Sequence, residues 1–139
     1  MKNIVILISG GGSNMAAIVR ASQQQNWAAQ VPARVVAVIS NKASAGGLAW
    51  ARGEGIATQA LDHKAFASRE AFDAELARTI DTYQPSLVVL AGFMRILTPG
   101  FVAHYQGRLV NIHPSLLPSF PGLHTHQRAI DVGCQVAGA

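Results

Sequence analysis

Ile4-Val5-Ile6-Leu7-Ile8 runs directly into Ser9-Gly10-Gly11-Gly12-Ser13-Asn14, and the reading of this junction decides the fold. Five consecutive apolar residues offer no polar face to solvent. Such a segment belongs to a strand covered on both sides, as in a parallel sheet. The glycines then turn the chain, and Asn14 to Gln25 reads as a helix that opens straight out of that turn.

Working outward, the same pattern recurs. Val35-Val36-Ala37-Val38-Ile39 and Leu87-Val88-Val89-Leu90-Ala91 are again apolar on both faces, and a shorter run from Ile56 to Leu61 follows the break at Gly53-Glu54-Gly55. Leu109-Val110-Asn111-Ile112-His113 alternates instead, with its two polar residues on one face. Helical patterns lie between the strands. Ala45 to Glu54 stops at glycine, and Arg69 to Tyr83 sets Phe72, Leu76, Ile80 and Tyr83 on one stripe, with Ser68 as its N-cap and Glu70 in the first turn. Alternating strands and helices predict an α/β, Rossmann-like fold: a mostly parallel sheet with helices on both faces. Ligands in such folds bind outside the carboxyl ends of the strands.

Composition narrows the class. The 139 residues make one domain, half apolar and only 13% charged, which excludes a disordered polymer. No apolar run approaches the roughly 20 residues of a membrane span, and the short opening run lacks the form of a signal sequence. A single cysteine, Cys134, excludes an internal disulfide framework and fits a reducing compartment, so a soluble cytoplasmic protein without a membrane partner is expected. The net charge of +4 is uneven. Lys2, Arg20, Arg34, Lys42 and Arg52 stand in residues 1–53 without a single acid, while six of the seven acids lie between Glu54 and Asp81. That field favours an anionic ligand near the amino-terminal third. Nucleic acid is not expected as a partner, because no two basic residues are adjacent and the aromatics are scattered.

Three segments at strand ends can carry chemistry. The first is the turn Ser9 to Asn14. Glycines admit a phosphate close to the backbone, a helix N-terminus supplies N–H groups and positive potential, and Ser13 and Asn14 add side-chain donors. A plain tight turn is the bland alternative. The Walker pattern fails because no lysine follows Gly12. The dinucleotide fingerprint fails at Met15 and at Ser40-Asn41-Lys42, where glycine and an acid are required. A phosphate monoester fits better.

The second segment is Asn111-Ile112-His113-Pro114. It sets an amide and an imidazole side by side, a pair suited to holding an oxyanion and moving a proton. Its bland alternative is a capped strand end. Pro114, Pro118 and Pro121 stiffen the loop that follows. The third is Gly92 to Leu97, an apolar loop with one arginine. It can hold a flat, partly apolar ligand by its backbone groups or serve as a packed connection. His124, His126 and Cys134 match no metal-ligand spacing, so no metal is expected.

Together, Ile-Ser-Gly-Gly-Gly-Ser-Asn (8–14), Ser-Asn-Lys (40–42), Ala-Gly-Phe-Met-Arg-Ile-Leu (91–97), Asn-Ile-His-Pro-Ser-Leu-Leu-Pro (111–118) and Pro-Gly-Leu-His-Thr-His (121–126) resemble the phosphoribosylglycinamide formyltransferase family over essentially the whole chain. The resemblance implies formyl transfer from 10-formyltetrahydrofolate, as co-substrate, to the amine of glycinamide ribonucleotide, in purine biosynthesis. It implies ribonucleotide phosphate on Gly12, Ser13 and Asn14, and folate against Met94, Arg95, Ile96 and Leu97 with Arg69 and Asn111 as further contacts. Asn111 and His113 are implied as catalytic. Small-molecule partners and a monomer or homodimer follow.

A formyltetrahydrofolate deformylase and a catalytically silent phosphate- or folate-binding fragment are the alternatives. The family's catalytic aspartate lies in a segment beyond the matched motifs, and Asp131 does not match it. Residues 1–139 are therefore expected to be a single formyltransferase domain lacking its carboxyl-terminal part, with His113 a weaker acid for want of that carboxylate. Replacing His113 with alanine is expected to abolish turnover while ribonucleotide binding persists. Isothermal titration beside a rate assay checks this, and retained turnover contradicts it.

Overall fold

A computed structural model describes residues 2–30 and 32–112 of the chain. Five strands form one sheet: β1 (Lys2–Ile8), β2 (Ala33–Ser40), β3 (Ala57–Ala60), β4 (Leu87–Ala91) and β5 (Leu109–Ile112). Their order is β3-β2-β1-β4-β5, and every pairing is parallel. The helices are α1 (Ser13–Gln24), α2 (Trp27–Gln30), α3 (Gly46–Gly53), α4 (Arg69–Asp81) and α5 (Pro99–His104). The fold is Rossmann-like.

The doubly apolar β1 earns its place at the centre by feeding two separate cores. Ile4, Ile6 and Ile8 pack on one face with Met15 and Val19 of α1 and Leu48 and Ala51 of α3. Val5 and Leu7 pack on the other with Phe72, Leu76 and Ile80 of α4 and Phe101 and Tyr105 at α5. Each large side chain buried in this way contributes about 1.5–3 kcal/mol. The chain moves outward from β1 through β2 to β3, then crosses back to β4 and β5. Reversing direction while keeping one crossover hand moves the connecting helices to the opposite face. That is why α1 and α3 cover one side, and α4 and α5 the other.

The Ser68 hydroxyl accepts the N–H of Ala71 at 3.0 Å, so α4 begins where its cap signal places it. It ends two residues early. Tyr83 lies beyond the helix, half-buried against the same core. Besides a single 3-10 turn at His63–Ala65, two α-helices go unread in the sequence, the four-residue α2 and the six-residue α5. Neither is long enough to show a helical period, although Thr98 caps α5 at Phe101 N–H and Pro99 stands in its first turn. Tyr105 fastens α5 to α4 by donating its hydroxyl to Asp81 Oδ1 at 2.7 Å, and His104 Nε2 sits 2.8 Å from Asp81 Oδ2. Burial first, then the bond to Asp81 and its negative charge, pushes the Tyr105 phenol far above its ordinary range against the opposing pull of Arg108.

Candidate functional site

The glycine turn sits where the strand order reverses, between the carboxyl ends of β1 and β4. Gly12 caps α1 in the left-handed conformation, with φ 71°, and any Cβ there stands 2.8 Å from the Met15 methyl. No side chain caps α1 and no acid lies in its first turn, so the positive end of the helix carries no counter-charge. The turn is backed by α3. Gly47 N–H donates to Gly10 O at 3.2 Å. A Cβ on Gly47 falls 2.5 Å from Ile8 Cδ1 and 3.0 Å from Gly11 O, so only glycine permits this approach.

A cavity of about 300 Å³ opens in front of the turn. Residues Ser9 to Asn14 form one wall, Lys42 beyond β2 adds a cation, and Ala91, Gly92 and Met94 beyond β4 close the other side. None of its lining residues is acidic. A larger cavity, about 700 Å³, lies between α4 and α5, where Glu70, Asp73 and Asp81 line it beside Arg78 and His104. With acids outnumbering Arg78, it favours an anion less than the glycine turn does. The smaller cavity, at the sheet's switch point, is the candidate site.

The loop after β4 is pinned at both ends. Met94 N–H donates to Ser9 Oγ at 2.8 Å, and Thr98 N–H donates to Asp73 Oδ2 at 2.7 Å. Between these bonds the side chains divide. Met94 and Ile96 are 80% and 75% exposed, whereas Phe93 and Leu97 pack into the core beneath α4 and α5. Arg95 also turns inward, with its guanidinium 4.6 Å from the centre of the Phe72 ring. Within residues 94–97, Met94 and Ile96 alone have exposed side chains, and of the two Met94 lines the cavity.

The remaining expected residues lie apart. Arg69 is the first residue of α4, exposed, and does not line the switch-point cavity. Asn111 pairs with Leu90 in β5, at the edge of the described sheet, and is exposed. Its neighbour Ile112 packs on the α1 side and Leu109 on the α4 side, so Asn111 projects to the α4 side. His113, the 115–122 loop, His124, His126 and Cys134 lie outside the described residues. Among the described residues no group of acids, histidines and cysteines could hold a metal ion. No helix there is long and apolar enough to cross a membrane.

Sequence reasoning quotes Ser9 in the turn and Asn41 and Lys42 in the 40–42 motif but gives none of them an individual role, and it passes over Asp73 altogether. Asp73 falls on the buried stripe of α4, only 3% exposed, where an acid is not looked for. The Gly46-Gly47 pair at a helix start is the signal that was available for the close approach of α3.

A parallel sheet whose strand order reverses at β1, with an uncapped helix N-terminus at that point, is the architecture of a doubly wound α/β protein. Residues 2–139 match the formyl transferase family, and the chain belongs to it. It is 57% identical to phosphoribosylglycinamide formyltransferase of Escherichia coli over 136 residues, covering 98% of this chain and 62% of that protein. It is 47% identical to the trifunctional purine biosynthetic protein adenosine-3 of Drosophila melanogaster over 137 residues, covering 99% of this chain and 10% of that protein. The crystal structure of phosphoribosylglycinamide formyltransferase from Brucella melitensis superposes with a TM-score of 0.76 at 55% identity, covering 95% of this chain and 67% of that one. The chain therefore spans about three-fifths of the length of the E. coli relative.

Gly47→Ala is expected to lower the unfolding midpoint by the cost of overpacking, about 1–3 kcal/mol, and to weaken anion binding at the turn. Gly46→Ala, with open space at its Cβ, is the control. Equal denaturation midpoints for the two variants contradict the close packing of α3 on the turn.

Proposed function

We propose that the protein transfers a formyl group from 10-formyltetrahydrofolate to the amine of glycinamide ribonucleotide, a step of de novo purine biosynthesis. The observation that carries this is the uncapped α1 N-terminus facing the Met94 loop across a cavity without acids, in a chain of the formyl transferase family. Backbone N–H groups of Gly12, Ser13 and Asn14, with the Ser13 and Asn14 side chains, hold the ribonucleotide phosphate. Lys42 supplies counter-charge.

Met94 and Ile96 offer the apolar surface for the folate ring. Arg95 and Leu97 act beneath them as anchors, and Arg69 is a further contact. The substrate amine attacks the formyl carbon, forming the new C–N bond. The Asn111 amide and the His113 imidazolium donate to the oxyanion that develops there. As the bond to the folate nitrogen breaks, the proton lost by the amine passes to that nitrogen. Removing one such oxyanion donor costs about a hundredfold or more in rate. Residues 1–139 belong to a single formyltransferase domain that works in the cytoplasm on small molecules, as a monomer or a homodimer.

Ser13→Ala and Asn14→Ala are each expected to weaken glycinamide ribonucleotide binding about tenfold or more, the effect of losing a hydrogen bond to a charged group. Tetrahydrofolate binding should stay unchanged, and calorimetry reads both. Donor consumption should require the ribonucleotide. Consumption at the same rate without it contradicts transfer and favours hydrolysis of the donor.

A further inference from the structure

The turn and the loop assigned to the two substrates meet at one hydroxyl. Ser9 stands at the end of β1 and is 4% exposed. Its Oγ donates to Oδ1 of Asn41 at 2.7 Å and accepts the N–H of Met94 at 2.8 Å. A serine hydroxyl carries one hydrogen, so committing it to Asn41 leaves only lone pairs for Met94. Satisfying one bond orients the other. Asn41 is 3% exposed and directly precedes Lys42, whose N–H donates to Ser40 Oγ at 3.1 Å.

One side chain thus ties together the carboxyl ends of β1, β2 and β4. The glycine turn begins one residue after Ser9, and the exposed apolar loop begins at Met94 itself. With Thr98 held by Asp73, the Ser9 bond fixes the loop's only other pinned end among the described side-chain bonds.

We propose that Ser9 is a positioning residue that couples the two substrate sites. An anion on the glycine turn steadies the backbone carrying Ser9, and through Oγ it steadies the Met94 amide. The second ligand then meets a loop already ordered and binds more tightly. The coupling rests on the two-substrate reading given above, and it adds a residue that touches neither reacting atom.

The test is the dead-end complex of glycinamide ribonucleotide with tetrahydrofolate, which has no formyl group to transfer. In the parent chain each ligand is expected to raise the affinity for the other by the same factor, about fivefold or more. In Ser9→Ala that ratio should fall to near one, whatever happens to each single affinity, and the Met94 amide should exchange faster while amides of β1 and β4 do not. Ser9→Thr, which keeps the hydroxyl, should restore both. If Ser9→Ala does not fold, Asn41→Ala is read in its place, and the ratio should again fall.

A ratio near one in the parent, or a ratio undiminished in the variants, overturns the coupling alone. Failure of either ligand to bind the parent overturns the two-substrate reading and the coupling with it.

Discussion

β1 carries hydrogen bonds to β2 on one side and to β4 on the other, and every functional feature of the chain hangs on that double pairing. Because helices cover the sheet on both sides of β1, both of its faces must be apolar, and residues 4–8 have no side left for solvent. The strand order reverses across β1, so the helices part there and leave a crevice at its carboxyl end. The turn that follows opens into this crevice. A bulky residue at Gly12 or Gly47 pushes α1 or α3 off the turn, and the crevice loses its shape with them.

Electrostatics complete what the backbone begins. The amino-terminal third contains no acid, α1 has no capping side chain, and Lys42 joins the cavity wall. The acids gather instead on the far side, where Asp73 and Asp81 bind α5 to α4. The same sheet thus separates a positive edge at the glycine turn from an acidic face that holds α5 to α4. Buried Asp73 accepts the Thr98 N–H on one of its oxygens, and that bond sets the far end of the loop after β4.

Much of this is legible in the sequence because the decisive signals are local. Unbroken apolar runs give β1, β2 and β4, glycines mark the turn, and Ser68 marks the start of α4. What stays hidden is whatever depends on distant partners. Ser9 and Asn41 acquire meaning only when strand ends 32 or 85 residues apart are brought together, and Asp73 only when Thr98, 25 residues on, folds back against α4. The inward turn of Arg95 onto Phe72 is equally non-local. Within residues 94–97 only Met94 and Ile96 face outward. The family resemblance names all four residues alike, and only tertiary packing distinguishes the two exposed side chains from the two turned inward.

The central claim is that the glycine turn and the first turn of α1 form the phosphate site. The most direct measurement is a ¹⁵N–¹H titration of the protein with ribose 5-phosphate. The largest saturable shifts are expected at the amides of Gly12, Ser13 and Asn14. The largest shifts between α4 and α5 instead, or no saturable shift at the turn, contradict the claim.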